Sequence, residues 1–280
     1  MSFTLSTSRC KYISDILDTC SSVIQQGNIV IKSDGLYISG MDSMHVSLIS
    51  LELSRHDFDE YNLEFLENTN NISIGVNLDE FVKILKTYSS SDHLTLSYSQ
   101  SPKLDIILSN DGLKRKYSLK LIDLDIEDIK LPSIDYYLEL NISSPVLSNI
   151  INSVSVTGAE AMKFSIENKQ LITSSLGNLS DTEFIFSKNI SYENKNRCKI
   201  NVHDHQTNTS TCSNKIYELI SCEGEFSCLI GMSLLKRISK ANSLVPYVMC
   251  NLSPNTPLRL DYELNDRGSV LYYYISPKID

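Results

Sequence analysis

The chain has 280 residues, of which 41% are hydrophobic, enough for a substantial core in one large domain or two small ones. Its formal net charge of -9 argues against an ordinary nucleic-acid-binding domain, which would be basic, and against binding to an anionic membrane surface. The chain start does not resemble a signal peptide, and no apolar run approaches the ~20 residues of a membrane span, so we expect a soluble, intracellular protein without a membrane partner.

Four short helices are predicted along the chain. They cover residues 8–23, residues 77–86, a segment that starts at Ser144-Pro145, and residues 231–240. In the first and third, apolar side chains recur with helical spacing on one face. Asn77 is a candidate N-cap, with Glu80 three residues later as in a capping box. Ser144 is the predicted N-cap of the third helix, because proline favours the first helical position that follows it.

The four helices indicate an internal repeat. An offset of 134 residues superposes the apolar face of the first helix on that of the third, and an offset of 154 superposes the second helix on the fourth. The second offset also aligns alternating strand positions, such as Leu94 with Val248 and Leu104 with Leu258. Because the offsets differ by 20, the second copy is expected to carry an insertion between its helices, in the polar stretch 187–222.

The segments between the helices are predicted to be strands, so the expected fold class is α+β with one domain plan used twice. The N-terminal domain is expected over residues 1–120 and the C-terminal domain over 137–280. Residues 121–136 join them. This joining segment is acidic and contains Pro132, which suits an extended connector on the surface.

Several segments resemble the sequence signatures of one family, the proliferating cell nuclear antigens (PCNA). They are Asp34-Gly35-Leu36 with residues 41–48, then residues 75–86, 119–125 and 271–279. The resemblance spans nearly the whole chain in the family's order. It implies two sliding-clamp domains per chain, with antiparallel sheets outside and two helices per domain lining a homotrimeric ring. The implied function is a DNA sliding clamp that serves as a processivity factor for DNA polymerase.

The resemblance also implies a set of partners. Duplex DNA would thread the ring without sequence-specific contacts, since phosphate contacts carry no sequence information. A clamp loader would open the ring, and replication and repair proteins would dock through a PCNA-interacting peptide. The implied location is the nucleus, or a viral replication compartment if a virus encodes the chain.

Two sets of site residues follow from the resemblance. The peptide-binding surface would comprise Met41, His45, Leu48, Ile129, Leu131, Pro132, Pro257, Tyr274, Ile275, Ser276 and Pro277. The DNA-facing residues would be Lys83, Lys86, Lys236, Arg237 and Lys240, on the second and fourth helices. From the residues alone, ordinary core packing would explain the first set and a solvated helix face the second.

The chain departs from the family pattern in two respects. Five usually basic positions of the first and third helices hold uncharged or acidic residues, namely Ser14, Asp15, Ser21, Asn149 and Asn152. We therefore expect the central hole of the ring to be less positive, with Arg9, Lys11 and residues 114–116 as compensating positive charge. Glu167 stands at the position of the family's ubiquitin-acceptor lysine, with Lys169 two residues away.

Other classes of function find little support in the sequence. No phosphate-binding loop or nucleophile-elbow motif is present, so we expect neither catalysis nor a cofactor. The seven cysteines fit small buried residues better than disulfides. Cys198, His203, His205 and Cys212 have irregular spacing for a zinc site. The alternatives kept open are a checkpoint-type clamp subunit of a heterotrimer and a metal-dependent nuclease.

Overall fold

The computed structural model describes residues 1–125, 129, 131, 133–167, 170–186, 217–222 and 224–278. The first copy of the repeat contains nine strands and two helices. In chain order these are β1 (Ser2–Thr7), α1 (Cys10–Ser21), β2 (Gln26–Lys32), β3 (Gly35–Met41), β4 (Ser47–Ser54), β5 (Glu60–Glu64), β6 (Asn71–Asn77), α2 (Leu78–Leu85), β7 (His93–Ser99), β8 (Lys103–Ser109) and β9 (Lys114–Lys120). A 3₁₀ turn at Arg55–Asp57 follows β4.

The second copy repeats this order of elements. It consists of β10 (Leu138–Ser143), α3 (Ser144–Val156), β11 (Ala161–Glu167), β12 (Gln170–Ser175), β13 (Thr182–Ile185), β14 (Tyr217–Cys222), β15 (Phe226–Gly231), α4 (Met232–Ile238), β16 (Tyr247–Leu252), β17 (Leu258–Glu263) and β18 (Val270–Ile275). A 3₁₀ turn at Ser239–Ser243 follows α4. The first residues of α1 and α3 are 134 positions apart, and those of α2 and α4 are 154 apart.

All strand pairings are antiparallel and form three sheets among the described residues. A five-stranded sheet of the first copy has the order β5-β1-β7-β8-β9, and a four-stranded sheet of the second has the order β13-β12-β11-β15. The third sheet has nine strands in the order β14-β10-β16-β17-β18-β4-β3-β2-β6. It is continuous because β18 of the second copy pairs with β4 of the first. The predicted α+β class, with one domain plan used twice, is therefore confirmed.

The four helices begin within two residues of their predicted starts. The Asn77 side chain accepts a hydrogen bond from the backbone N–H of Glu80 at 3.0 Å, which caps α2 as predicted. The third helix begins one residue earlier than expected. Ser143, in extended conformation, is its N-cap, and Ser144 is already the first helical residue. Pro145 therefore stands in the first turn, where its missing N–H leaves no helical bond unmade.

The hydrophobic core lies between the helices and the sheets and runs through both copies. Ile16 and Cys20 of α1 and Ile150 and Val154 of α3, which the periodicity assigned to apolar faces, are all buried. Four cysteines, Cys10, Cys20, Cys228 and Cys250, are buried free thiols. No helix within the described residues is long and apolar enough to cross a membrane.

The connector starts by docking on the first copy. Ile122 donates its N–H to the carbonyl of Gly75 at 2.9 Å. A Cβ atom at position 75 would lie 2.2 Å from the Ile122 carbonyl oxygen, so only glycine permits this approach. The C-terminal end of the expected insertion differs from the prediction. Residues 217–222 form β14, which pairs with β10 just as β5 pairs with β1 in the first copy. These residues therefore belong to the repeated plan and not to the insertion.

Candidate functional site

The four helices form a continuous layer on the sheets. Helix α1 packs against α2, α3 packs against α4, and the 3₁₀ turn after α4 reaches α1. All five basic residues predicted to face DNA are exposed, and four of them are lysines of this layer. They are Lys83, Lys86, Lys236 and Lys240. The structure therefore brings the predicted lysines of both copies to one layer, although most of them already have acidic partners.

Arg237 has a different setting from the lysines. Its Nη1 lies 3.5 Å from Oδ2 of Asp42, a residue of the first copy that is only 2% exposed. The other carboxylate oxygen of Asp42 accepts the N–H groups of Val46 and Ser47 at 2.9 and 2.8 Å. Burial alone would raise the pKa of Asp42, but these hydrogen bonds and the guanidinium hold the pKa below its ordinary value. Arg237 thus ties the two copies together, which sequence spacing did not reveal.

Asp18 of α1 holds two of the predicted lysines. Its Oδ1 lies 2.8 Å from Nζ of Lys86, which ends α2, and its Oδ2 lies 3.4 Å from Nζ of Lys240, in the second copy. Burial alone would raise the pKa of Asp18, but hydrogen bonds and charge from the two lysines hold it below the ordinary value. Lys83 pairs with Glu80 at 2.8 Å on the surface of α2.

The residues proposed as compensating positive charge lie elsewhere. The run 114–116 forms part of β9 at the end of the five-stranded sheet, where Arg115 pairs with buried Asp92 and Lys116 Nζ lies 2.8 Å from Asp105. Arg9 pairs with buried Asp57 at 2.7 Å. Lys11 is exposed on α1 and is the one member of this group that belongs to the helix layer.

The predicted peptide-binding residues meet on the other face of the nine-stranded sheet. Met41 of β3 lies opposite Leu48 of β4, Leu48 lies opposite Tyr274 of β18, and Tyr274 lies opposite Arg259 of β17. Directly opposed residues project from the same face of a sheet, so these four side chains form one transverse row across four strands. Met41 is 42% exposed, whereas Leu48 and Tyr274 are largely covered.

A cavity of about 410 Å³ opens beside this row. Its lining includes Leu131 of the connector and Tyr274, two of the predicted residues. Arg259 and Asp261 also line it, in a bidentate pair with N–O distances of 2.8 and 3.0 Å. Burial raises the pKa of Asp261, and the guanidinium of Arg259 partly opposes that rise. Sequence reasoning missed this pair, although its alternation with buried Leu258 and Leu260 placed both residues on one strand face.

The remaining predicted peptide-binding residues differ in accessibility. Ile275 is fully buried, so its side chain cannot contact a partner from the outer face. Ser276 is exposed, but its backbone N–H already donates to the carbonyl of Val46 at 2.9 Å. His45 is exposed, with a positive φ of 56°, in the turn held by Asp42. Ile129, Pro257 and Pro277 are half-buried, and Pro132 lies outside the described residues.

The structure gives no support for a regulatory site at Glu167 or for a metal site. Glu167 is exposed at the end of β11, and Lys169 lies outside the described residues. The four Cys and His residues considered for zinc also lie outside them. Within the described ranges, no three His, Cys, Asp or Glu side chains cluster in a way that could hold a metal ion.

Comparisons with known proteins agree with this architecture. Residues 5–129 match the family model "Proliferating cell nuclear antigen, N-terminal domain". The chain is 26% identical to "Proliferating cell nuclear antigen 2" of Drosophila melanogaster over 268 residues, covering 95% of this chain and 93% of that protein. It is 24% identical to a "DNA polymerase sliding clamp" of Thermococcus sibiricus over the full length of both. The crystal structure of a PCNA from Entamoeba histolytica superposes with a TM-score of 0.81 over 99% of both chains, at 19% identity.

The repeated fold and these full-length matches define the chain as a sliding clamp. The match of residues 5–129 to the PCNA N-terminal domain model and the near-full-length relatives confirm the resemblance of the chain to the PCNA family.

Proposed function

We propose that this sliding clamp acts as a homotrimeric ring that encircles duplex DNA and raises the processivity of DNA polymerase. It also serves as a docking platform for replication and repair proteins that carry a PCNA-interacting peptide, and a clamp loader opens it. The chain contributes no catalysis of its own and acts in the nucleus, in keeping with its nuclear-antigen relatives. A viral replication compartment has no support among the relatives named above.

The observation that carries the ring is the sheet junction inside the chain. In this junction, the last strand of the second copy, β18, pairs with β4, the edge strand of a four-stranded unit in the first copy. The counterparts of these two strands are β9 and β13. Each is the last strand of its sheet in the described part of the chain. A second molecule can therefore repeat the internal junction by pairing its β13 with β9 of the first, and such head-to-tail contacts close into a ring.

The repeat also predicts the register of this contact. Tyr117 is the counterpart of Tyr273, because they pair with Ile106 and Leu260, which are 154 positions apart. Phe184 corresponds to Leu51, because each ends an equivalent row of paired residues. The rows are Cys228–Phe164–Thr173–Phe184 and Ile74–Ile29–Ile38–Leu51.

Inside the chain Tyr272 lies opposite Ser50. Carrying this pair over to the contact between chains sets Lys116 opposite Glu183 of the neighbour. Both residues are exposed. Directly opposed unlike charges contribute roughly 0.2–1 kcal/mol per pair, and like charges oppose pairing.

A charge exchange tests the ring and its register together. Light scattering of the wild type should give about three times the chain mass of 31.6 kDa. Glu183→Lys should shift the ring toward monomers at low salt, because it sets two lysines opposite each other at every contact. Lys116→Glu combined with Glu183→Lys in the same chain should restore the ring. Glu67→Lys, an equal change at an exposed loop position, is the control and should leave the mass unchanged.

The outcomes separate the two parts of the proposal. A monomeric wild type would overturn the ring, and assembly only with other clamp proteins would favour the checkpoint-type heterotrimer. If Glu183→Lys still forms a trimer at low salt, the proposed ring stands but the proposed register is wrong.

The transverse row on the outer face supports the docking role. Met41, Leu131 and Tyr274 offer apolar surface to the anchors of a short partner helix, although charged and polar side chains make up most of the lining of the cavity beside Tyr274. The Arg259–Asp261 pair next to it offers hydrogen-bonding groups to the same partner. We expect Ile275, with its side chain in the core, to contribute shape through the backbone of β18 only.

A further inference from the structure

The DNA-facing helix layer contains an acidic residue at its centre. Asp18 is partly covered, with 24% of its side chain exposed, and each of its carboxylate oxygens has a lysine partner. The two lysines come from different copies of the repeat, Lys86 from the first and Lys240 from the second. They are also counterparts, because they lie 154 positions apart, Lys86 directly after α2 and Lys240 in the 3₁₀ turn that follows α4. A single carboxylate thus engages the equivalent lysine of both copies.

The second copy does not repeat this arrangement. The counterpart of Asp18, 134 positions later, is Asn152, which is exposed on α3 and carries no charge. The acidic residue is therefore a feature of one copy and is not required by the repeated fold. The local packing gives the same result, because exposed ion pairs contribute little to stability, typically about 0–1 kcal/mol. A structural role alone would not need a carboxylate at this position.

We propose that Asp18 is an internal counter-ion that weakens the attraction between the clamp and DNA by holding Lys86 and Lys240 away from the phosphates. This inference rests on the proposed function, in which the helix layer faces DNA. The carboxylate and the phosphate compete for the same two ammonium groups. The pKa of Asp18 is held below its ordinary value, so the carboxylate is charged at neutral pH. The consequence is a clamp that holds DNA by closure of the ring and slides with little electrostatic friction.

Counter-ion release predicts the size of the effect. Each lysine that gains a phosphate contact steepens the dependence of log affinity on log salt concentration by about 0.9. Asp18→Asn should release one or two lysines, so the slope should steepen by about 0.9–1.8. A fourfold reduction in salt should then strengthen binding by the variant about 3- to 12-fold more than binding by the wild type.

Three variants make the test specific. Binding of a short fluorescent duplex is measured by anisotropy over a series of salt concentrations. Asp15→Asn removes the same charge from an exposed position on the same helix. The described residues supply no ion-pair partner there, so no lysine is released, and the overall affinity can rise but the slope should stay unchanged. Asp18→Glu keeps the carboxylate and should keep the wild-type slope. Thermal unfolding of each variant verifies that the fold is retained.

Each result decides the matter. A steeper slope for Asp18→Asn alone supports the proposal. Equal slopes for the wild type and Asp18→Asn, or equal steepening by Asp15→Asn, overturn it, because the effect would then be absent or would reflect net charge only. Failure of the wild type and every variant to bind duplex at any salt concentration overturns the DNA-facing assignment as well. That outcome is distinguishable from failure of the Asp18 inference by itself.

Discussion

Asp57 provides the sharpest prediction about how the two copies are joined. Its carboxylate is fully buried and accepts three hydrogen bonds. Arg9 Nη2, from the segment before α1, lies 2.7 Å from Oδ1, and Asn265 Nδ2 lies 2.8 Å from the same oxygen. The hydroxyl of Ser269 donates to Oδ2. Asn265 and Ser269 belong to the turn between β17 and β18, so Asp57 fastens the last hairpin of the second copy to the first.

The cost of removing this carboxylate can be estimated from its surroundings. Breaking a buried ion pair by removing one partner costs about 3–5 kcal/mol. Arg9 retains 37% exposure, so water can rehydrate its charge in the variant, and the low end of this range applies. We therefore expect Asp57→Ala to lower the free energy of unfolding by about 3 kcal/mol. For a chain of this length, 1 kcal/mol corresponds to roughly 2 °C, so the midpoint should fall by about 6 °C.

Differential scanning calorimetry at one fixed protein concentration provides the assay, because assembly alters the apparent stability. Asp59→Ala is the matched control, two positions away. The Asp59 side chain is 53% exposed and accepts a hydrogen bond from the N–H of Ser8 at 2.7 Å, so its loss should lower the midpoint by about 2 °C or less. If both variants lose the same amount, the buried carboxylate does not join the copies and the reasoning is refuted.

Three further predictions concern the surfaces and the response to acid. Tyr274→Ala should weaken binding of a PCNA-interacting peptide by about 2 kcal/mol in calorimetric titration while the trimer persists, since a buried aromatic anchor is lost; unchanged affinity would remove the docking assignment. Lys83→Glu with Lys86→Glu should reduce loading onto nicked circular DNA and polymerase stimulation most strongly at low salt, with peptide binding unaffected; normal loading would show that α2 does not guide DNA. The pKa of Asp42 is lowered in the folded state. Its ionised carboxylate therefore stabilises the fold fully above the unfolded pKa of about 3.9, and this stabilisation is lost as the pH falls further. Urea midpoints should therefore fall below about pH 4, and Asp42→Asn should reduce that dependence.

The helices, the repeat and the strand positions could be predicted from the sequence because they depend on local spacing. Apolar residues at helical intervals gave the buried faces of α1 and α3, and the Asn77 cap followed from two residues three positions apart. The offset of 154 predicted the position of α4 from that of α2, because the two copies pack equivalent helices against equivalent sheets. The function was inferred from the segments that resemble the PCNA family, because no local pattern in the chain indicates it alone.

The contacts between the copies could be known only from the tertiary structure. Arg237 was expected in the DNA-facing set from the family resemblance, yet its guanidinium lies beside Asp42, which is 195 residues earlier in the chain. The transverse row from Met41 to Arg259 likewise depends on the pairing of β18 with β4. Periodicity determines which side of a strand or helix a residue occupies. Which residue it contacts in the other copy depends on how distant helices and strands pack together. Sequence spacing does not reveal that packing.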